Sequence, residues 1–219
     1  MTDVLIGGQT GPQSLGLGST IGARLRQGAL ADLIVTELHG KYYETNVRGN
    51  LFWATMTAGV IFPAPAAVAN NPITLANPAG SGKNLILVSF DMVITTIPGT
   101  PLTGLYGLYV NNSPAAAAVT GTAIAIQQGL IGGAAASVAK AFSTATIPAA
   151  PNLLLPFAQK VTGQVAAAVG IDGLPGYHVD FDGRVILAPG TSITPQQTVA
   201  DTTNATVLCA FAWEEAPAT

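Results

Sequence analysis

Charge is what this chain has least of. Asp, Glu, Lys and Arg make up 9% of its 219 residues, against about 25% in ordinary soluble domains. A dispersed monomer relies on scattered charge for solubility, so so neutral a surface implies that neighbouring chains cover much of it. Long apolar runs are missing too. Pro, Gly, Asn or a charge interrupts every stretch before the roughly 18 consecutive apolar residues a spanning helix needs, which excludes a helical membrane protein. The eight basic and eleven acidic residues give a net charge of −3 and form no basic stripe, so direct binding of nucleic acid is not expected. The amino terminus, Met-Thr-Asp-Val-Leu-Ile-Gly-Gly, lacks the basic residues and apolar core of a secretory signal, which predicts synthesis in the cytoplasm. Cys209 is the single cysteine and lies in the apolar run Thr206–Trp213. It cannot form an intrachain disulfide, and no nearby cation lowers its pKa, so it reads as a buried small hydrophobe.

Glycine and β-forming residues are what the chain has instead. Residues 1–49 read as an arm, punctuated by Gly7, Gly8, Gly11, Gly16, Gly18, Gly22 and Gly28, yet holding Arg24, Arg26, Lys41 and Arg48, half of the basic residues. Within it, Ser19–Leu38 has a capping Ser or Thr and apolar residues at three-to-four spacing, which predicts one helix. From residue 50 the pattern becomes short β runs. They are predicted at Asn50–Thr57, Ile73–Ala76, Asn84–Thr95, Gly104–Val110, Thr122–Gln127, Ser137–Ile147, Asn152–Gln159, Gln164–Ile171, Tyr177–Phe181, Arg184–Leu187 and Thr203–Trp213. Pairs such as Asn77-Pro78, Pro98-Gly99, Asp182-Gly183 and Pro189-Gly190 separate them. Many short strands without alternating helices specify an all-β sandwich or barrel. A jelly-roll-like β-sandwich over residues 50–219, carrying an extended, partly helical N-terminal arm, fits best, because long connections absorb the Ala/Pro/Gly-rich inserts at 63–70 and 113–120. Asp182-Gly183 between two β runs predicts a two-residue type I′ hairpin.

No catalytic or cofactor pattern in the sequence is complete. Ala79-Gly-Ser-Gly-Lys-Asn84 has the Gly-Lys of a phosphate loop, but Asn77 stands where the first Gly belongs, Asn84 where Ser or Thr belongs, and a strand follows. Asp172, His178, Asp180 and Asp182 cluster without a second histidine or a calcium-loop pattern, so solvation of a hairpin is the better reading than a metal site. Only His39 and His178 are available to a Ser/His/Asp arrangement, and no Gly-x-Ser-x-Gly elbow occurs. Glu214 and Glu215 are adjacent, hence opposed on a strand, and read as a solvated end. No cofactor, no metal and no enzymatic activity are expected.

Lys41-Tyr-Tyr-Glu-Thr-Asn-Val-Arg48, followed by Phe52 and Trp53, concentrates aromatics and cations, the residue types enriched at protein interfaces. Arg24, Arg26, Tyr42, Tyr43, Arg48, Phe52 and Trp53 are therefore the candidate partner interface. Anchoring of the first strand to the core is an equal alternative for the aromatics.

Gly183-Arg-Val-Ile-Leu-Ala-Pro-Gly-Thr-Ser-Ile193 and Ala205-Thr-Val-Leu-Cys-Ala-Phe-Ala-Trp-Glu-Glu-Ala-Pro217, with Lys41–Asn50 and Asn77–Leu85, cover about a third of the chain. Together they resemble small structural proteins of tailed bacteriophages. The resemblance implies a jelly-roll capsid decoration, or cement, protein on the outer surface of the virion, binding where major capsid proteins meet. It also implies a homo-oligomer, a trimer ahead of a dimer, whose N-terminal arm reaches neighbouring subunits. A fibre or receptor-binding head that recognises a host glycan is the alternative, and it predicts a groove lined by aromatics and carboxylates. A metal-dependent enzyme on a cupin-like jelly roll would need several converging histidines, which two distant ones do not supply.

Overall fold

The computed structural model describes residues 40–96, 103–112, 118–161, 176–198 and 206–218. The helix expected at Ser19–Leu38, the strand expected at Gln164–Ile171, and Arg24 and Arg26 lie outside the described residues. The chain divides into two units, Met1–Tyr43 and Glu44–Thr219, and the second holds every strand among the described residues.

After a short helix, α1 (Tyr43–Val47), come thirteen strands: β1 (Leu51–Thr55), β2 (Val60–Ile61), β3 (Asn71–Ala76), β4 (Lys83–Thr96), β5 (Thr103–Asn111), β6 (Thr120–Ala123), β7 (Ile126–Gln128), β8 (Lys140–Thr146), β9 (Asn152–Val161), β10 (Gly176–Asp180), β11 (Ile186–Leu187), β12 (Ser192–Gln197) and β13 (Thr206–Pro217). They form two antiparallel sheets packed as a sandwich. One runs β10-β4-β13-β1-β7, with β11 beside β4 and β2 beside β13; the other runs β6-β8-β3-β12-β5-β9. Set aside β2, β6, β7, β8 and β11, and number the remaining eight strands in chain order. The sheets then read 6-3-8-1 and 2-7-4-5, the connectivity of a jelly roll. The insert between β5 and β9 supplies β6, β7 and β8, which widen both sheets.

The core lies between the sheets. Phe52, Leu85, Leu87, Phe90, Met92, Phe211 and Trp213 from the first face Ile73, Leu75, Tyr106, Leu108, Ala141 and Ile193 from the second. Phe90 bridges them, with ring centroids 4.8 Å from Phe211 and 5.2 Å from Phe157. Cys209 is buried in this core, and burial pushes its thiol pKa far up. That keeps it protonated and unreactive.

β12 was not anticipated. Ser-Ile-Thr-Pro-Gln-Gln falls in none of the expected β runs, yet all six residues are buried in the middle of the second sheet. Its polar side chains find partners in the neighbouring strand β3 and in the loop that precedes it. Gln196 Nε2 donates to Ala67 O at 2.7 Å and to Asn71 Oδ1 at 2.6 Å, and Thr194 Oγ1 donates to Ile73 O at 3.0 Å. Pro195 is tolerated because β3 pairs with β12 only at Ser192 and Ile193, so that ladder has ended before the missing N–H would be felt.

Two expectations are corrected. Asp182 and Gly183 do have positive φ, 48° and 77°, and Arg184 N donates to Phe181 O at 2.8 Å across the turn. The flanking strands do not form a hairpin, however: β10 and β11 both pair with β4, one after the other. Phe181 and Leu187 are both buried, and anchoring both in the core keeps the strand on β4, with the Asp-Gly turn looped out between them. The run expected at Thr122–Gln127 is broken into β6 and β7, which belong to different sheets.

Candidate partner-binding surface

Two residues past the end of α1, Gly49 has a left-handed φ of 74°, and Asn50 N closes the turn on Thr45 O at 3.0 Å. Glycine suits that position because it carries no Cβ. Thr45 Oγ1 donates to Glu214 Oε1 at 3.3 Å, fastening the helix to the end of β13. The chain then enters β1, where alternation sends Phe52 inward and Trp53 outward. Phe52 is core, stacked on Trp213 at 6.2 Å between centroids, so the interface reading fails for it. Trp53 is half-buried and lies against Gly129, where an added Cβ would stand 2.5 Å from the ring.

Tyr42 is half-buried, with Lys41 Nζ 5.1 Å from its ring centroid, and Tyr43 is exposed. Arg48 makes an exposed i,i+4 pair with Glu44 at 3.6 Å, a contact of little energetic weight. Beyond β7, the loop carries Ile131 at 89% exposure. Of the residues singled out in the sequence, Tyr43 and Arg48 are exposed, Tyr42 and Trp53 half-buried and Phe52 buried; the sequence reading did not single out the loop.

It also missed the outer face of the first sheet. Register places Val93 beside Leu208, His178 beside Asp91 and then Ala210, and Ser89 beside Ala212 and then Trp53. Val93 is exposed, and Leu208 and Ala210 are half-buried. Polar contacts interrupt this surface: His178 Nδ1 to Asp91 Oδ1 at 2.7 Å, Ser89 Oγ donating to Asp91 Oδ2 at 3.5 Å, and Thr95 Oγ1 with Thr206 Oγ1 at 2.7 Å. The legible signal was Val207–Trp213, apolar at every position. A run without alternation marks a strand whose two faces both meet apolar surroundings, and sheet packing accounts for only one of them.

A groove of about 370 Å³ opens between the end of β1 and the β6–β7 crossing, lined by Thr55, Thr57, Ala58, Val60, Thr122 and Gln127 among others. It carries no aromatic ring and no carboxylate.

The polar clusters singled out above take structural places. Gly80 and Gly82, with φ of 75° and 69°, turn the chain into β4, and Lys83 Nζ donates to Glu215 Oε2 at 2.9 Å. Glu215 is the second correction among the acidic residues: its side chain is fully buried rather than solvated. Trp213 and Glu215 share the inward face of β13, and Glu215 Oε1 accepts from Ser137 Oγ and from Val138 N at 2.9 Å. Those donors compensate a carboxylate that burial would otherwise penalise. Asp180 Oδ1 accepts from Asp182 N at 3.2 Å, while Asp172 lies outside the described residues. Among the described residues no three His, Cys, Asp or Glu side chains converge on a point that could hold a metal, and no helix is long and apolar enough to cross a membrane.

Compared with protein-family models, curated proteins and solved structures, the chain matches none.

Proposed function

We propose that this chain is a non-enzymatic structural subunit of a virion, a cement protein that binds the outer capsid surface and joins neighbouring major capsid proteins. The observation that carries this reading is the outer face of the first sheet, where exposed Val93 and half-buried Leu208, Ala210 and Trp53 surround the His178–Asp91 pair on a β-sandwich that already has a complete core between its sheets. Such a surface is stabilised when another protein covers it. The same role calls for self-association. An oligomer that bridges several shell subunits gains affinity through effective concentration, so each contact can be modest.

The resemblance of the Lys41–Asn50, Asn77–Leu85, Gly183–Ile193 and Ala205–Pro217 segments to structural proteins of tailed phages supports the location on the particle. The glycan-binding alternative asks for a groove of aromatics and carboxylates, and the Thr- and Ala-lined groove beside β1 is not of that kind.

The arm is the part whose removal separates folding from binding. Deleting residues 1–40 is expected to leave the circular dichroism and unfolding midpoint of the β domain unchanged while abolishing co-sedimentation with heads assembled without this chain. Undiminished binding by the truncated protein would overturn the arm's role.

A further inference from the structure

The side of the sandwich where β7 ends one sheet and β6 ends the other is built from neutral chain. Neither residues 49–82 nor residues 92–139 include any Asp, Glu, Lys, Arg or His. These two segments supply β1, β2, β6, β7 and the loop from β7 to β8. The side they form carries two features that binding through the outer sheet face leaves unused, one raised and one hollow.

The raised feature is the loop after β7. Gly133 N donates to Leu130 O at 2.8 Å, and Gly132 has a φ of 84°, which makes a type II turn with glycine where positive φ is required. Ile131 therefore stands at the tip, 89% exposed, beside Leu130 at 43%. The base of the turn is fastened: Gly129 N donates to Leu51 O at 2.8 Å, and Ala135 N donates to Gln128 Oε1 at 3.1 Å. A large aliphatic side chain held in water gains nothing in the isolated chain, and a tip already fixed loses little freedom on contact.

The hollow feature is the groove of about 370 Å³ at the other end of β7. Pairing with β1 sets the two apart: Phe52 faces Gln128 at the turn's end, and Ala54 faces Ile126 at the groove's end. Ala58, Val60, Ala123, Ile124 and Ala125 give the groove small apolar walls between its threonines. Its volume is that of about twelve waters at roughly 30 Å³ each, which leaves room for an isoleucine side chain. A chain cannot seat its own tip there, because turn and groove stand at opposite ends of the strand.

We infer that this side is a self-association surface, on which Ile131 of each copy enters the groove of a second copy. Turn and groove share one side, so a single neighbour related by a two-fold axis meets both at once. A head-to-tail ring would have to crowd two neighbours onto that side. A two-fold contact closes on itself and yields a dimer. Charge selects the occupant. A charged partner would be desolvated against a side that offers no counter-ion, whereas a second copy brings a neutral turn and a neutral groove. The contact deepens the structural-subunit reading above, on which it rests, by naming the surface through which copies join, and it leaves the outer face of the first sheet free.

The test is the solution mass of the full chain by analytical ultracentrifugation over a concentration series, for the wild type, Ile131→Asp, Ala125→Lys and an equimolar mixture of the two variants. The wild type is expected to be a dimer. Ile131→Asp puts a carboxylate into each neutral groove, and Ala125→Lys fills each groove with a charged chain. Both residues are exposed, so each variant is expected to keep its circular dichroism while raising the dimer dissociation constant at least about tenfold. In the mixed pair one turn and groove are native and the other opposes Asp to Lys, which is expected to restore the dimer. Ile186→Lys, a charge on an exposed residue of the opposite edge, is expected to leave the mass unchanged. A monomeric or trimeric wild type, a dimer indifferent to both variants, or weakened association that mixing does not rescue would each overturn the contact. A wild-type dimer that both variants break and mixing restores supports the contact whether or not the protein binds heads, so failure of the capsid reading shows separately.

Discussion

Replacing Trp213 by alanine is expected to lower the unfolding free energy by about 3–5 kcal/mol, the range for removing a buried large aromatic. Trp213 is fully buried in β13, the strand that pairs with β4 on one side and β1 on the other. Its ring stacks on Phe52 and stands opposite Leu87, so the cavity would open at the centre of the first sheet. In a chain of this size, such a loss lowers the melting temperature by roughly 6–20 °C. The indole nitrogen is buried without a hydrogen-bond partner among the described residues. Trp213→Phe therefore removes a polar group that gains nothing and is expected to cost less than half as much. Urea unfolding midpoints of both variants check the pair of expectations, and a cost below about 1 kcal/mol for Trp213→Ala would show that the site collapses freely.

Glu215→Ala is the second large effect, expected at about 3 kcal/mol. Breaking a buried ion pair costs roughly 3–5 kcal/mol when the remaining charge stays buried. Lys83 keeps a third of its side chain in solvent, which puts the expectation at the low end. Most of the loss comes instead from the donors of Ser137 and Val138, left without their acceptor where the insert enters β8. Glu215→Gln keeps an acceptor oxygen for them but loses the charge facing Lys83, and is expected to recover about half of the stability. The same two variants locate the damage. Hydrogen exchange should quicken first at Val138 and Ala139 and only later in β4, because the carboxylate ties the insert to the body of the sandwich. Uniform loss of protection across both sheets would contradict that placement.

The parts of this fold legible in the sequence were those where side-chain alternation and turn chemistry agreed. β1, β3, β4, β5, β8, β9 and β13 were anticipated to within a few residues at most boundaries, because apolar and β-branched runs there are bounded by Gly, Pro or Asn. β12 was illegible because its buried residues are polar. Gln196 and Thr194 are buried through hydrogen bonds to Ala67 O and Ile73 O, more than a hundred residues away in sequence, which local pattern cannot register. The same holds for Glu215, whose neighbour Glu214 and terminal position made it look solvated, while its partners come from residues 83 and 137–138. Asp182-Gly183 was read correctly as a left-handed turn and wrongly as a hairpin, because turn residues specify backbone angles and not which strand the flanks choose. On the candidate surface, Phe52 and Trp53 are adjacent and chemically alike, and only the pairing of β1 with β13 decides that one is core and the other faces out.

Binding to the shell tests the central claim most directly: heads assembled without this chain, mixed with the purified full-length protein and sedimented at low and at high salt. Saturable binding at a fixed ratio to the major capsid protein is expected, with an affinity that falls only in part between about 0.05 and 0.5 M salt, because ions screen the contacts of the arm's arginines but not those of the apolar sheet face. A protein that stays in the supernatant as a dispersed monomer at every concentration would contradict the claim that other chains cover this surface.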